Sequence, residues 1–146
     1  MAFLNSLNIV GSALTAERFR SNVILQNFAN SQTTRTANGE PYRRKQVIFQ
    51  ERSMDFQQVL QGEINKDATP QGGVRVTNIV ASDKDFVPVY DPSHPDANEE
   101  GYVMYPNVNT TEEMIDLMAA SRAYDANITA LSVVKSLALK ALEIGK

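Results

Sequence analysis

Apolar residues recur at helical spacing from Phe3 to about Ala29, uninterrupted by proline or by a cluster of turn formers. The spacing predicts one helix of roughly 26 residues, about 39 Å long, slightly weakened at Gly11. A second helical pattern runs from about Thr111 to Ile144. Thr110 followed by Glu113 has the spacing of a capping box at its start, and Gly145 follows the last apolar residue as a stop signal. Glu112, Glu113 and Asp116 stand near its start and Lys140 and Lys146 near its end, the order that complements the helix dipole.

Between the helices the period changes. Asn38-Gly39 is a type I′ turn signal, and the β-branched and aromatic residues from Tyr42 to Phe49 suit a strand. Further short strands are expected from Val74 to Val80, Phe86 to Tyr90 and Gly101 to Tyr105, divided by Pro and Gly punctuation. Residues 61–73 are polar, with Pro70, Gly72 and Gly73 at their end, and predict a flexible loop. The chain therefore reads as α+β in three zones: an N-terminal helix and turn (1–36), a small irregular β region (37–106) and a C-terminal helix (107–146). The long helices are expected to pair as an antiparallel, coiled-coil-like hairpin.

Drawn at 100° per residue, each helix shows two apolar stripes rather than one. On the first, Phe3, Leu7, Val10, Leu14, Leu25 and Phe28 share a face, with Ile9, Ala16, Phe19 and Val23 roughly opposite. On the last, Met114, Leu117, Tyr124, Ile128, Leu131, Leu139 and Leu142 form one face. Ile115, Ala119, Ala123, Ala126, Ala130, Val133, Leu137, Ala141 and Ile144 form the other, which is small and smooth. The 3,4 series Met114, Leu117, Ser121, Tyr124, Ile128, Leu131, Lys135, Ala138, Leu142 is apolar at seven of nine positions and suits a coiled-coil seam. One stripe per helix is thus satisfied within the chain. The others find no partner in a chain this short, and each buried Leu, Ile or Phe stabilises by about 1.5 to 3 kcal/mol. Other subunits are expected to cover them, through the residues of these faces other than Ile9, Ala16, Ile115, Leu139, Ala141 and Ile144.

Composition narrows the function classes. The 146 residues include no cysteine, which removes disulfides, thiolate zinc sites and cysteine nucleophiles together. A formal net charge of -3 gives no reason to expect a nucleic-acid surface. Lys135 and Lys140 interrupt the richest apolar stretch before it reaches the roughly 18 residues a membrane span needs. The start has no basic region ahead of its apolar residues and no tidy cleavage site, so it reads as mature structure.

Candidate chemistry is sparse. His94, between Pro92 and Pro95 with Asp91, Asp96, Glu99 and Glu100 nearby, has no second histidine to complete a zinc site and reads as a loop or contact segment. Arg43, Arg44 and Lys45 beside Tyr42 read as a charged strand face paired with acidic residues of this or a neighbouring subunit. Asp83 and Asp85 read as a strand-ending turn. No nucleophile elbow, phosphate-binding glycine loop or supported carboxylate pair is present, so no catalytic, cofactor or metal site is expected.

Four segments carry a resemblance. NVNTTEEMIDLMAASRAYDAN (107–127) resembles the C-terminal signature of flagellar rod and hook axial proteins, and LQNFANSQTTRT (25–36) their N-terminal one. NGEPYRRKQVIF (38–49) and DPSHPDANEEGYVMYPNVN (91–109) resemble the proximal rod members of that family, as does the short middle region. The resemblance implies a subunit of the hollow drive shaft that crosses the periplasm and passes motor torque to the hook. It implies, as partners, other rod proteins, copies of itself, the membrane-ring and export-gate junction, and the flagellar type III export apparatus, with an uncleaved N-terminal signal. The rival reading from the residues is an autonomous helical adaptor or export-chaperone-like protein binding a partner helix in a groove. A small hydrolase built around His94 is a more distant one.

Overall fold

The computed structural model describes residues 2–53, 60 and 72–144, with side chains from residue 5 to 143 of these. Helix α1 (Ala2–Ala29) opens the chain and helix α2 (Thr110–Ile144) closes it. Between them lie β1 (Lys45–Glu51), β2 (Val74–Ala81), β3 (Val87–Tyr90) and β4 (Tyr102–Tyr105), paired as β1-β2 and β3-β4. The fold is α+β, with two terminal helices and antiparallel strand pairs between them. Most of the predicted flexible loop, residues 61–71, lies outside the described residues.

Two local signals act one residue away from where the sequence pattern put them. The amide of Gly39 donates to Thr36 O (2.9 Å) and that of Thr36 to Glu40 O (2.9 Å), so Ala37 and Asn38 form the turn and Gly39, at φ 81°, closes it in the left-handed region. This is the three-residue loop with a closing glycine, not the two-residue type I′ turn. At the start of α2 the cap is Asn109, whose Oδ1 accepts from the Thr111 amide (3.0 Å). Glu113, the expected reciprocal partner of Thr110, turns inward instead.

The described residues divide into two compact units. One comprises residues 20–48 and 78–119. In it the last turns of α1 run antiparallel to the first turns of α2: Asn27 bonds Glu113 while Arg20 faces Asp116 at 3.9 Å. Val23, Ile24, Tyr42, Val103 and Pro106 are its buried apolar side chains. In the β3-β4 ribbon Val87 faces Tyr105 and Tyr90 faces Tyr102. Asn107 ties the β2 end to the chain before α2, accepting from the Arg44 amide (2.8 Å) and donating to Ser82 O (3.3 Å) and Lys84 O (2.8 Å).

The other unit comprises residues 1–19, 49–77 and 120–146, with Ala16 and Ala120 buried. Here the hairpin lies close on α1. Ser12 Oγ accepts from the Val74 amide (3.0 Å), and a Cβ at Gly73 (φ 128°) would stand 2.5 Å from that oxygen, so only glycine permits the approach. An open groove of about 440 Å³ remains between them, bordered by Leu7, Gly11, Phe19, Arg52 and Arg75.

Half of the second stripe of α1 finds cover inside the chain, where the expectation was that none was available. The cover is partial: Ala16 and Val23 are buried while Ile9 and Phe19 stay exposed, and the β1-β2 hairpin lies beside the Ile9–Ala16 stretch. On α2 the positions that are not exposed are Glu113, Leu117, Ala120, Tyr124, Asn127, Leu131, Val134 and Ala138, a 4,3 repeat, with Asp116 and Ala123 beside it. This inner seam shares Leu117, Tyr124, Leu131 and Ala138 with the apolar series read from sequence. It replaces Met114, Ser121, Ile128 and Lys135 by the residue before each, which rotates the larger apolar side chains outward.

Candidate assembly surfaces

The most ordered chemistry in the chain is a buried polar cluster in the unit formed by residues 20–48 and 78–119. Asn27 and Glu113 are each 1% exposed. Asn27 Nδ2 donates to Lys45 O (2.8 Å) and Glu113 Oε2 (2.9 Å); its Oδ1 accepts from Tyr42 Oη (2.9 Å) and the Lys45 amide (2.9 Å). All four bonding positions of the amide are filled, and the Lys45 backbone dictates which end is oxygen. The other Glu113 oxygen accepts from Arg44 Nε, and Arg44 Nη2 reaches Asp116 Oδ2 at 2.9 Å. The charge is thus paired and hydrogen-bonded, the condition under which burial is tolerated.

This cluster joins α1, the start of β1 and α2 through side chains and the Lys45 backbone. Burial of the Arg44 guanidinium acts to lower its pKa, but the Glu113 hydrogen bond and the charges of Glu113, Asp116 and Glu112 outweigh that and raise it. Burial and the adjacent Glu113 charge push the Tyr42 hydroxyl up. The basic run read from sequence is consumed here: Arg44 pairs with acids of the same chain, Arg43 lies 4.4 Å above the Phe86 ring, and Lys45 Nζ is 5.5 Å from the Tyr42 ring. His94 Nδ1 accepts the Asp96 amide (3.1 Å), which makes the imidazole part of its own turn.

The predicted packing residues fall into three groups. Val23 is buried, and Leu7, Val10, Leu14, Leu117, Ala123, Tyr124 and Leu131 are half-buried. Phe19, Leu25, Phe28, Met114, Ala119, Ala126, Ile128, Ala130, Val133, Leu137 and Leu142 are exposed, up to 62% at Leu137 and 70% at Leu142. The side chain of Phe3 lies outside the described residues. Sequence reasoning missed Asn27 and Glu113 as core, because a polar residue on a helix reads as surface or cap; their 3,4 placement within the inner seams was the available signal.

What such a chain belongs to is answered by comparison. It is 47% identical over 150 residues to the flagellar basal-body rod protein FlgC of Bacillus subtilis, covering 100% of both chains. The chain belongs to the FlgC family. It is also 42% identical to FlgC of Salmonella typhimurium and 40% to that of Escherichia coli O157:H7, again over 100% of each chain. Residues 99–144 match the family model for the C-terminal region of flagellar basal body rod FlgEFG proteins. FlgC membership carries a coarse role with it, that of a structural component of the flagellar basal-body rod. The matched segment spans β4 and all of α2, the helix that bears the exposed apolar face. No described helix is long and apolar enough to cross a membrane.

Proposed function

We propose that this chain polymerises through its terminal helices into the proximal part of the rod, a hollow shaft that transmits motor torque, together with copies of itself and other rod proteins. The observation that carries this reading is the outer face of α2. Ala119, Ala126, Ala130, Val133 and Leu137 lie along it, all exposed. A row of this kind left in water is costly, and its small side chains let another helix approach closely. Torque transfer needs stiffness, which close-packed interfaces repeated about an axis supply.

Rod membership supports the remaining parts of the proposal. The chain reaches the periplasmic space through the flagellar type III apparatus with an uncleaved N-terminal signal, and meets the junction with the membrane ring and export gate. Ala130→Asp places an unpaired charge on the outer face without touching the inner seam. The variant should be exported and folded yet absent from isolated basal bodies, and its cells should not swim. Normal swimming would refute the burial of this face in the rod.

A further inference from the structure

The β3-β4 ribbon is anchored through Val103, while Val87 and Val89 on the same face are 51% and 41% exposed and the opposite face is open throughout. Its register sets Val89 against Val103 on one side, with Val103 0% exposed, and Pro88 against Met104 and Tyr90 against Tyr102 on the other. Those four side chains are all exposed, Tyr90 at 65%. A two-stranded ribbon is marginal by itself, so an apolar outer face on one is unusual. Tyr90 and Tyr102 are held edge to face with centroids 5.3 Å apart. Gly101 sits beneath them at φ 81°, where a Cβ would stand 3.0 Å from the Tyr90 ring. The turn that closes this end of the ribbon carries Glu99 and Glu100, exposed and without an ion pair to any described residue.

The complementary chemistry occurs on the same chain. From Thr129 to Leu142, α2 contains Lys135 and Lys140 and no acid. Val133, Leu137 and Lys140 follow one another at 4,3 spacing on its exposed side. Val133 and Leu137 are about 6 Å apart along the helix axis, close to the roughly 6.7 Å between the Pro88–Met104 and Tyr90–Tyr102 pairs along the ribbon. With Leu137 on the tyrosine pair and Val133 toward Met104, Lys140 reaches the Glu99–Glu100 turn.

We propose that the open face of the β3-β4 ribbon receives the Val133–Leu137–Lys140 face of α2 from a second copy of this chain. The two surfaces differ, so the contact is heterologous and propagates instead of closing as a dimer. This rests on the rod reading above and gives it one specific intersubunit contact.

The absence of native cysteine makes cross-linking clean. Tyr102→Cys and Leu137→Cys chains carrying different tags are co-expressed in cells lacking the native gene, and isolated basal bodies are oxidised. A disulfide joining the two tags, absent when either variant is expressed alone, is the expected result. Both variants present in the basal bodies without that link, or a link formed by Leu137→Cys alone, would overturn the contact and leave the rod reading standing. Absence of the unmodified tagged chain from basal bodies would overturn both. An independent arm needs no cysteine. Glu99→Lys with Glu100→Lys should reduce swim-ring diameter at least about twofold, and adding Lys140→Glu should restore most of it, since like charges facing across an interface repel. Failure of Lys140→Glu to restore swimming would overturn the contact.

Discussion

Replacing Glu113 by leucine removes the centre of the buried cluster while keeping a side chain of similar length in the helix. The Glu113 side chain is 0% exposed and that of Arg44 13%, so the guanidinium would lose its close partner in a place water scarcely reaches. Breaking a buried pair by removing one member costs about 3–5 kcal/mol. Asp116 still holds Arg44 Nη2, but its carboxylate is 40% exposed and compensates weakly. Asn27 Nδ2 loses an acceptor as well, although Lys45 O continues to serve it. The expected loss is therefore about 3 kcal/mol, at the lower end of that range. In urea, with a slope of about 2 kcal/mol/M, the unfolding midpoint followed by circular dichroism should fall by about 1.5 M. Arg44→Met alone strands Glu113 and should cost as much, whereas the double variant should recover about 2 kcal/mol relative to additivity. Because the pair is buried, raising NaCl from about 0.1 M to 1 M should leave the difference nearly unchanged. A loss below about 1 kcal/mol for Glu113→Leu, or strict additivity with Arg44→Met, would refute the claim that this cluster joins the elements.

Three other outcomes follow. The Tyr42 hydroxyl is held above its ordinary value of 10.0 in the folded chain, so its protonated form contributes stability that is complete below that value and lost as pH rises through the folded one. Tyr42→Phe should cost about 1 kcal/mol at neutral pH and flatten the alkaline fall in stability; an unchanged alkaline limb would contradict the assignment. Asn109→Ala should cost about 1 kcal/mol and Thr110→Ala only a few tenths, because Asn109 is the cap; thermal unfolding showing the reverse order would restore the capping-box reading. Gly73→Ala should cost about 2 kcal/mol and speed exchange of the Val74 amide, which donates to Ser12; protection equal to the parent chain would show that the close approach is dispensable.

Both helices and four strands were legible from residue spacing alone, because helix and strand periods are local and the punctuation between them is dense. Observed and predicted limits differ by at most three residues at each start and two at each end. The presence of two apolar stripes per helix was legible too. Deciding which stripe faces inward needed the tertiary arrangement. On α2 a shift of one position exchanges Met114 for Glu113, Ile128 for Asn127 and Lys135 for Val134, and the 3,4 periodicity fits both choices. Arg44 and Asn27 resolve that choice for Glu113 by meeting its carboxylate from the residue before β1 and from α1, partners 69 and 86 residues away. The partial cover of the second α1 stripe was likewise hidden, since a hairpin whose burial alternates weakly does not announce the helix it lies on. Local pattern therefore determined the elements and their amphipathic faces. The inward turn of Glu113, and with it the face that α2 turns inward there, was decided by long-range polar contacts, whose free energy no local window contains.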